Sequence, residues 1–330
     1  MVDNRVPGTG QLTGRPLLDS RADMALYTPR RQVETEISNA FKRGLNTLLE
    51  GPRGSGKTTI LRSLMHQARQ KTWAGPTPIY VRAALAQDVP QMLELILGAL
   101  TDPGQPAPTT ALRHLTTPLE LIQTLAATLH RHEPVVFLVD DVDPQTGNQL
   151  FGVLRDELWT VDALWVVTVN PEGTATLTQP PADAFFDSTV RIPDLTRAES
   201  DDLLQRRLGH KVQLPVETSA STPRQLLNLA RHSEPADWEG ALRRRSQRDT
   251  DIAKLGRPAA MLASILEELG PTSPSDQRLL TKTGWTPSRA SQVLRKLAQA
   301  GYVTYREVRG TGPGRPTRVY ELLDTPTVAS

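Results

Sequence analysis

Gly51-Pro52-Arg53-Gly54-Ser55-Gly56-Lys57-Thr58 is a complete G-x-x-x-x-G-K-[ST] pattern, and Thr59 adds a second hydroxyl. Ahead of it, Asn46-Thr47-Leu48-Leu49-Glu50 reads as a short buried strand. Behind it, Thr59-Ile60-Leu61-Arg62-Ser63-Leu64-Met65 reads as the start of a helix. Glycines let the backbone approach a phosphate closely, and the N–H groups at a helix start point at the anion. In such a loop Lys57 reaches the β- and γ-phosphates and Thr58 holds Mg²⁺. Gly51 to Thr59 is therefore the expected cradle for ATP, with Mg²⁺ as its companion ion. A glycine-rich turn that binds nothing is the alternative. The terminal Lys-Thr and the strand and helix on either side count against it.

Downstream, Val135-Val136-Phe137-Leu138-Val139 is a continuous apolar run that ends in Asp140-Asp141. Such a run has the character of a central parallel strand buried on both faces. A carboxylate at its end can hold the Mg²⁺ shell, which falls to Asp140. A second can polarise an attacking water, which falls to Asp141. An ordinary turn after a strand also accommodates an Asp pair. Further strands are expected at 78–82, at 163–169 ending before Asn170, and at 187–192. Helices are expected at 89–100, 118–130 and 145–159 between them. Alternating strands and helices imply right-handed crossovers and a doubly wound α/β sheet.

The flanks differ. Residues 1–25 carry Pro7-Gly8-Thr9-Gly10 and Gly14-Arg15-Pro16 with little periodicity and read as a flexible arm able to pack late against the body. From Thr196 the pattern turns all-helical: Thr196-Arg197-Ala198-Glu199 is a capping box, and Thr222-Pro223-Arg224 opens another helix. A third helix begins near Asp237 and carries Arg243-Arg244-Arg245. Past Gly256 come three helices and two alternating strands, 302–308 and 317–322, separated by Arg309-Gly310-Thr311-Gly312-Pro313-Gly314-Arg315-Pro316. That order describes a winged helix-turn-helix. The third of these helices presents Ser288, Arg289, Gln292, Arg295, Lys296 and Gln299 outward, long donors suited to a major groove. Arg309, Arg315 and Arg318 on the hairpin suit phosphates. A solvated basic face used for protein contacts is the competing reading. The expected domains are an arm at 1–25, an ATPase core at 26–194, a helical lid at 195–256 and a winged helix at 257–330.

Composition bounds the rest. With 330 residues, 38% hydrophobic and 22% charged, the chain has room for two or three cores and an ordinary soluble make-up. The absence of cysteine excludes disulfides and cysteine-ligated zinc and favours a reducing cytoplasm. No apolar run approaches a membrane span, so no membrane partner is expected. The net charge of +2 is uneven: from Asp237 onward there are 15 Lys/Arg against 10 Asp/Glu. A basic C-terminal region suggests a polyanionic partner.

The phosphate loop, the Val135–Asp143 stretch, Asn170 at a strand end, the helical lid and Arg224 together resemble an AAA+ ATPase. The similarity is to the origin-recognition (Orc1/Cdc6-like) group with its C-terminal winged helix, and to the related STAND signalling ATPases. The resemblance implies that Asn170 is the sensor-1 residue near the γ-phosphate and Arg224 the sensor-2 arginine. It also places Tyr27 to Arg31 where this family wraps adenine. Asp141 stands where the family usually has Glu, which shortens the water-activating side chain and implies slow hydrolysis. Gln179 to Arg191 offers no convincing arginine finger.

The expected function is thus an ATP-binding switch that engages duplex DNA through its winged helix. Oligomerisation in the ATP state and a protein partner are left open. A STAND-like signalling scaffold and a transposon-type targeting ATPase are the alternatives.

Overall fold

The computed structural model describes residues 12–73, 75–100, 117–130, 133–211, 222–232, 237–308 and 317–323. Arg309 and Arg315 lie outside them. The chain divides into two compact units: residues 1–213 with 219–232, and 214–218 with 233–330.

In the first unit, β1 (Thr47–Glu50), β2 (Thr77–Arg82), β3 (Val135–Asp140), β4 (Ala163–Val169) and β5 (Ser188–Arg191) form one parallel sheet in the order β2-β3-β4-β1-β5. This is the α/β phosphate-loop architecture read from the sequence. Side chains alternate across a strand, so each strand feeds two cores. Leu48, Phe137, Val139, Trp165 and Val167 face one layer, covered by α4 (Val89–Leu100) and α5 (Pro118–Leu129). Leu49, Val136, Leu138, Val166 and Val190 face the other, covered by α2 (Arg31–Lys42) and α3 (Lys57–Arg69). All six positions of β3 are buried, as expected for a strand with neighbours and helices on every side.

One segment departs from expectation. The helix expected over 145–159 is instead α6 (Pro144–Asn148), a π-turn at Gln149–Val153 and α7 (Arg155–Leu158). The wider turn lays Gly152 against Pro181 and Ala182, where a Cβ would come within 2.8 Å of Pro181 Cγ. Residues 12–25 pack against the body, as the sequence reading allowed. Leu17 is buried and its N–H donates to Thr59 Oγ1 at 3.3 Å. Asp19 meets Arg69 at 2.9 Å, and Arg15 binds Asp23 through both carboxylate oxygens just ahead of and within α1 (Arg21–Ala25). The segment lacks periodicity and docks through Leu17 and polar contacts.

α8 (Pro171–Leu177) follows β4, and α9 (Arg197–Leu208) starts with the reciprocal Thr196/Glu199 capping box. α10 (Pro223–His232) closes the unit. The second unit contains α11 (Trp238–Lys254), α12 (Arg257–Leu269), α13 (Gln277–Thr283), α14 (Pro287–Gln299) and the antiparallel hairpin of β6 (Val303–Val308) and β7 (Thr317–Leu322). Leu262, Ile265, Leu266, Leu279, Val293, Leu294, Leu297 and Tyr320 form its core. No helix among the described residues is long and apolar enough to cross a membrane.

Candidate nucleotide site

β4 lies between the phosphate-loop strand β1 and the acidic strand β3. Gly51 N–H donates to Val169 O at 3.2 Å, which draws the start of the loop to the end of β4. Asn170 is thereby held beside Lys57, whose Nζ donates to Asn170 Oδ1 at 2.8 Å, Gly51 O at 2.6 Å and Pro52 O at 3.3 Å. Gly54 and Gly56 adopt φ of +83° and +100°, a left-handed backbone that turns successive amides toward one concavity. Gly56 is the N-cap of α3, so the loop runs straight into a helix start. Ser55 is buried, and its Oγ has no hydrogen-bond partner among the described residues. An orphaned buried hydroxyl in an amide-lined loop fits a phosphate oxygen as its partner. Thr58 is half-buried on the first turn of α3. Thr59 differs from it, because its hydroxyl accepts the Leu17 N–H.

Arg224 is tied to the same loop. Its N–H donates to Gly54 O at 3.3 Å, and a Cβ on Gly54 would lie 2.6 Å from Arg224 Cβ. The start of α10 therefore rests on the phosphate loop.

Asp140 is 5% exposed at the end of β3. Its Oδ1 accepts from Thr168 Oγ1 at 3.0 Å and its Oδ2 from the Tyr80 hydroxyl at 2.7 Å. Burial, and then the Asp140 carboxylate, raise the Tyr80 phenol above its ordinary value. The Arg62 guanidinium lies 3.5 Å from the centre of the Tyr80 ring. Asp141 is exposed, with φ of +59°. A carboxylate accepts about four hydrogen bonds, so Asp140 keeps lone pairs for an Mg²⁺ shell. The donor set of Thr58 and Asp140 suits a hard cation that retains most of its waters.

Tyr80, Thr168 and Arg62 were not singled out from the sequence. Thr168 had a visible signal, as a polar residue inside the buried run Ala163–Val169 that must find partners. Within the Tyr27–Arg31 segment, Tyr27 and Arg30 make internal contacts, whereas Thr28 Oγ1 is buried without a partner among the described residues. The Tyr27 hydroxyl donates to Glu34, and burial followed by that carboxylate raises the phenol. Arg30, 4% exposed, binds Glu199 Oε1 at 3.1 Å and the carbonyls of Pro193 and Asp194. Arg191 pairs with Glu50 across β1 and β5 at 3.5 Å and is 78% exposed on its side chain.

Residues 29–167 match the family model of the AAA ATPase domain. That match falls on the segment whose motifs resemble an AAA+ ATPase. Solved structures of low identity also match the chain. The Aeropyrum pernix Orc1 protein in complex with DNA is 20% identical, with a TM-score of 0.47 and 90% of each chain covered. A Walker-type ATPase of Pyrococcus abyssi is 14% identical, with a TM-score of 0.49, covering 94% of this chain and 97% of that one. Cdc6p from Pyrobaculum aerophilum is 14% identical, with a TM-score of 0.43, covering 92% and 94%. No curated protein matches the sequence.

Outside residues 29–167, α14 exposes Ser288, Arg289, Gln292, Arg295, Lys296 and Gln299 together. Several of these lines a shallow groove of about 430 Å³ with Leu255, Pro258 and Ala259. Lys296 Nζ donates to Leu255 O at 2.6 Å, and Arg289 to Gln292 Oε1 at 2.7 Å. Arg318 pairs with Glu307 at 3.3 Å and sits 4.5 Å from the Tyr305 ring centre. In the run Arg243 to Arg245, Arg245 pairs with Glu267 inside the unit, so it is not a free phosphate contact.

Proposed function

We propose that the chain is an ATP-binding, slowly hydrolysing switch of the Orc1/Cdc6-like kind that binds duplex DNA through a C-terminal winged helix. Lys57 and the amides of the phosphate loop bind the phosphates. Thr58 and Asp140 hold Mg²⁺, which when bound neutralises phosphate charge. Asp141 orients water, Asn170 faces the γ-phosphate, and Arg224 responds to the nucleotide from α10.

The observation that carries the switch is the contact of Arg224 with Gly54. The first turn of α10 abuts the phosphate loop, so a phosphate seated there acts directly on that helix. Only a ligand that interacts differently with two conformations shifts their balance, and a γ-phosphate beside Arg224 meets that condition. Slow turnover is supported by Asp141, one methylene shorter than Glu and held on a left-handed backbone.

DNA binding is supported by the exposed donors of α14, with Arg318 on the hairpin. Arg and Gln read base edges, and Lys and Arg meet phosphates. Arg309 and Arg315 belong to the same reading from sequence. The domain boundaries near 26, 195 and 257 are part of the proposal.

Fluorescence anisotropy of duplex DNA with ATP, with ADP and without nucleotide, across a salt series, tests it. Salt-sensitive binding that changes with nucleotide is expected. Binding that still responds to ATP in Lys57→Ala contradicts the switch. The pairing of Arg318 with Glu307 favours a second reading, a signalling scaffold that recruits a protein. That reading requires no DNA binding at low salt.

A further inference from the structure

We propose that Thr168 is a positioning residue for both carboxylates of the acidic pair, an inference that rests on the ATP-hydrolysis reading above. Thr168 is fully buried, and both hydrogen-bonding capacities of its hydroxyl go to the pair. It donates to Asp140 Oδ1 at 3.0 Å and accepts the Asp141 backbone N–H at 2.7 Å. One oxygen atom thus fixes the rotation of one carboxylate and the backbone path of the next.

The period of the strand explains how it reaches them. Val166 faces the core layer beneath α3, and Thr168, two residues on, points the same way. Val136, Leu138 and Asp140 on the neighbouring β3 share that face, as does Tyr80 on β2. Thr168 grips Asp140 from one side and the Tyr80 hydroxyl grips it from the other, with Arg62 packed on the Tyr80 ring. Each carboxylate oxygen has one protein donor, so the remaining lone pairs are aimed in a set direction.

Asp141 needs the grip more. At φ +59° it occupies the left-handed region, uncommon for residues with a Cβ though more accessible to Asp than to most. Its N–H bond to Thr168 holds the turn that leaves Asp140 buried and swings the Asp141 side chain out. Without the hydroxyl, that N–H loses its partner and the turn is free to relax.

Thr168→Val keeps the shape and removes both hydrogen bonds, whereas Thr168→Ser keeps both. Steady-state ATP hydrolysis and Mg²⁺-dependent binding of a fluorescent ATP analogue are measured for wild type, both variants and Lys57→Ala, each shown to be folded by thermal melting. Thr168→Val is expected to lower kcat about 10- to 100-fold with KM within about 3-fold, and to need about 10-fold more Mg²⁺ for half-maximal binding. Thr168→Ser restores both to within about 3-fold. Unchanged kcat and Mg²⁺ requirement in Thr168→Val overturn the proposal, as does a loss that Ser does not rescue. If wild-type turnover does not exceed that of Lys57→Ala, the hydrolysis reading fails. The Mg²⁺ titration then decides the positioning role by itself.

Discussion

Lys57 Nζ and Asn170 Oδ1 are 2.8 Å apart, joining the helix after β1 to the end of β4. An ammonium has three donors, and Gly51 O, Pro52 O and Asn170 Oδ1 supply three acceptors. A phosphate arriving at the loop must take at least one of these donors. Asn170→Ala is therefore expected to bind nucleotide as tightly as wild type or up to about 3-fold tighter, while turnover falls about 10- to 100-fold. Lys57→Ala loses binding by about 100-fold or more, because charge-assisted bonds to phosphate are among the strong ones. Equilibrium titration with a fluorescent nucleotide separates the two. Equal loss of affinity in both variants contradicts the assignment.

Gly54 should tolerate no side chain. Its φ of +83° and the 2.6 Å approach to Arg224 Cβ act together. Gly54→Ala is expected to destabilise the fold by about 1–3 kcal/mol and to weaken nucleotide binding. Chemical denaturation gives the first number. A variant as stable as wild type would show that α10 does not rest on the loop.

Asp23 anchors the N-terminal segment and carries a pH signature. The bidentate Arg15 bond is the main reason its carboxyl lies below its ordinary value; burial opposes, and the Leu18 N–H assists. A depressed folded-state value stabilises the fold above the unfolded value and loses that contribution as pH falls through the folded one. The loss is thus expected below about pH 4. Asp23→Asn should cost about 2 kcal/mol at pH 7 and flatten the acid limb of the stability curve. Parallel curves for variant and wild type between pH 7 and 2.5 would count against the anchor.

On the second unit, Arg295 and Arg318 should differ. Arg295 is exposed on α14, whereas Arg318 is shared with Glu307 and the Tyr305 ring. Arg295→Ala is expected to lower the salt slope of DNA binding by about 1. Arg318→Ala should change it less, because breaking the pair also frees Glu307. Anisotropy at four or more salt concentrations checks both, and identical slopes for the two variants contradict the distinction.

The phosphate loop, the buried acidic strand, the capped helices and the three-helix-plus-hairpin order were all legible in the chain. Each rests on short-range chemistry: glycines where φ must be positive, an apolar run where neither face meets water, Thr and Asp where helix N–H groups need acceptors. What lies beyond about one element's reach was not legible. The strand order that inserts β4 between β1 and β3, and so brings Asn170 to Lys57, depends on which crossovers pack. The docking of residues 12–25 depends on Thr59, His66 and Arg69 meeting polar groups far away in sequence. The π-turn at Gln149–Val153 answers to the Pro181–Ala182 surface, and Thr168 acquires its partners only when two strands lie side by side. Local patterns determine most of the strands, turns and caps, the Gln149–Val153 turn being an exception. Only tertiary packing decides which of their side chains share a site, because a hydrogen bond needs about 3 Å and sequence distance carries no such constraint.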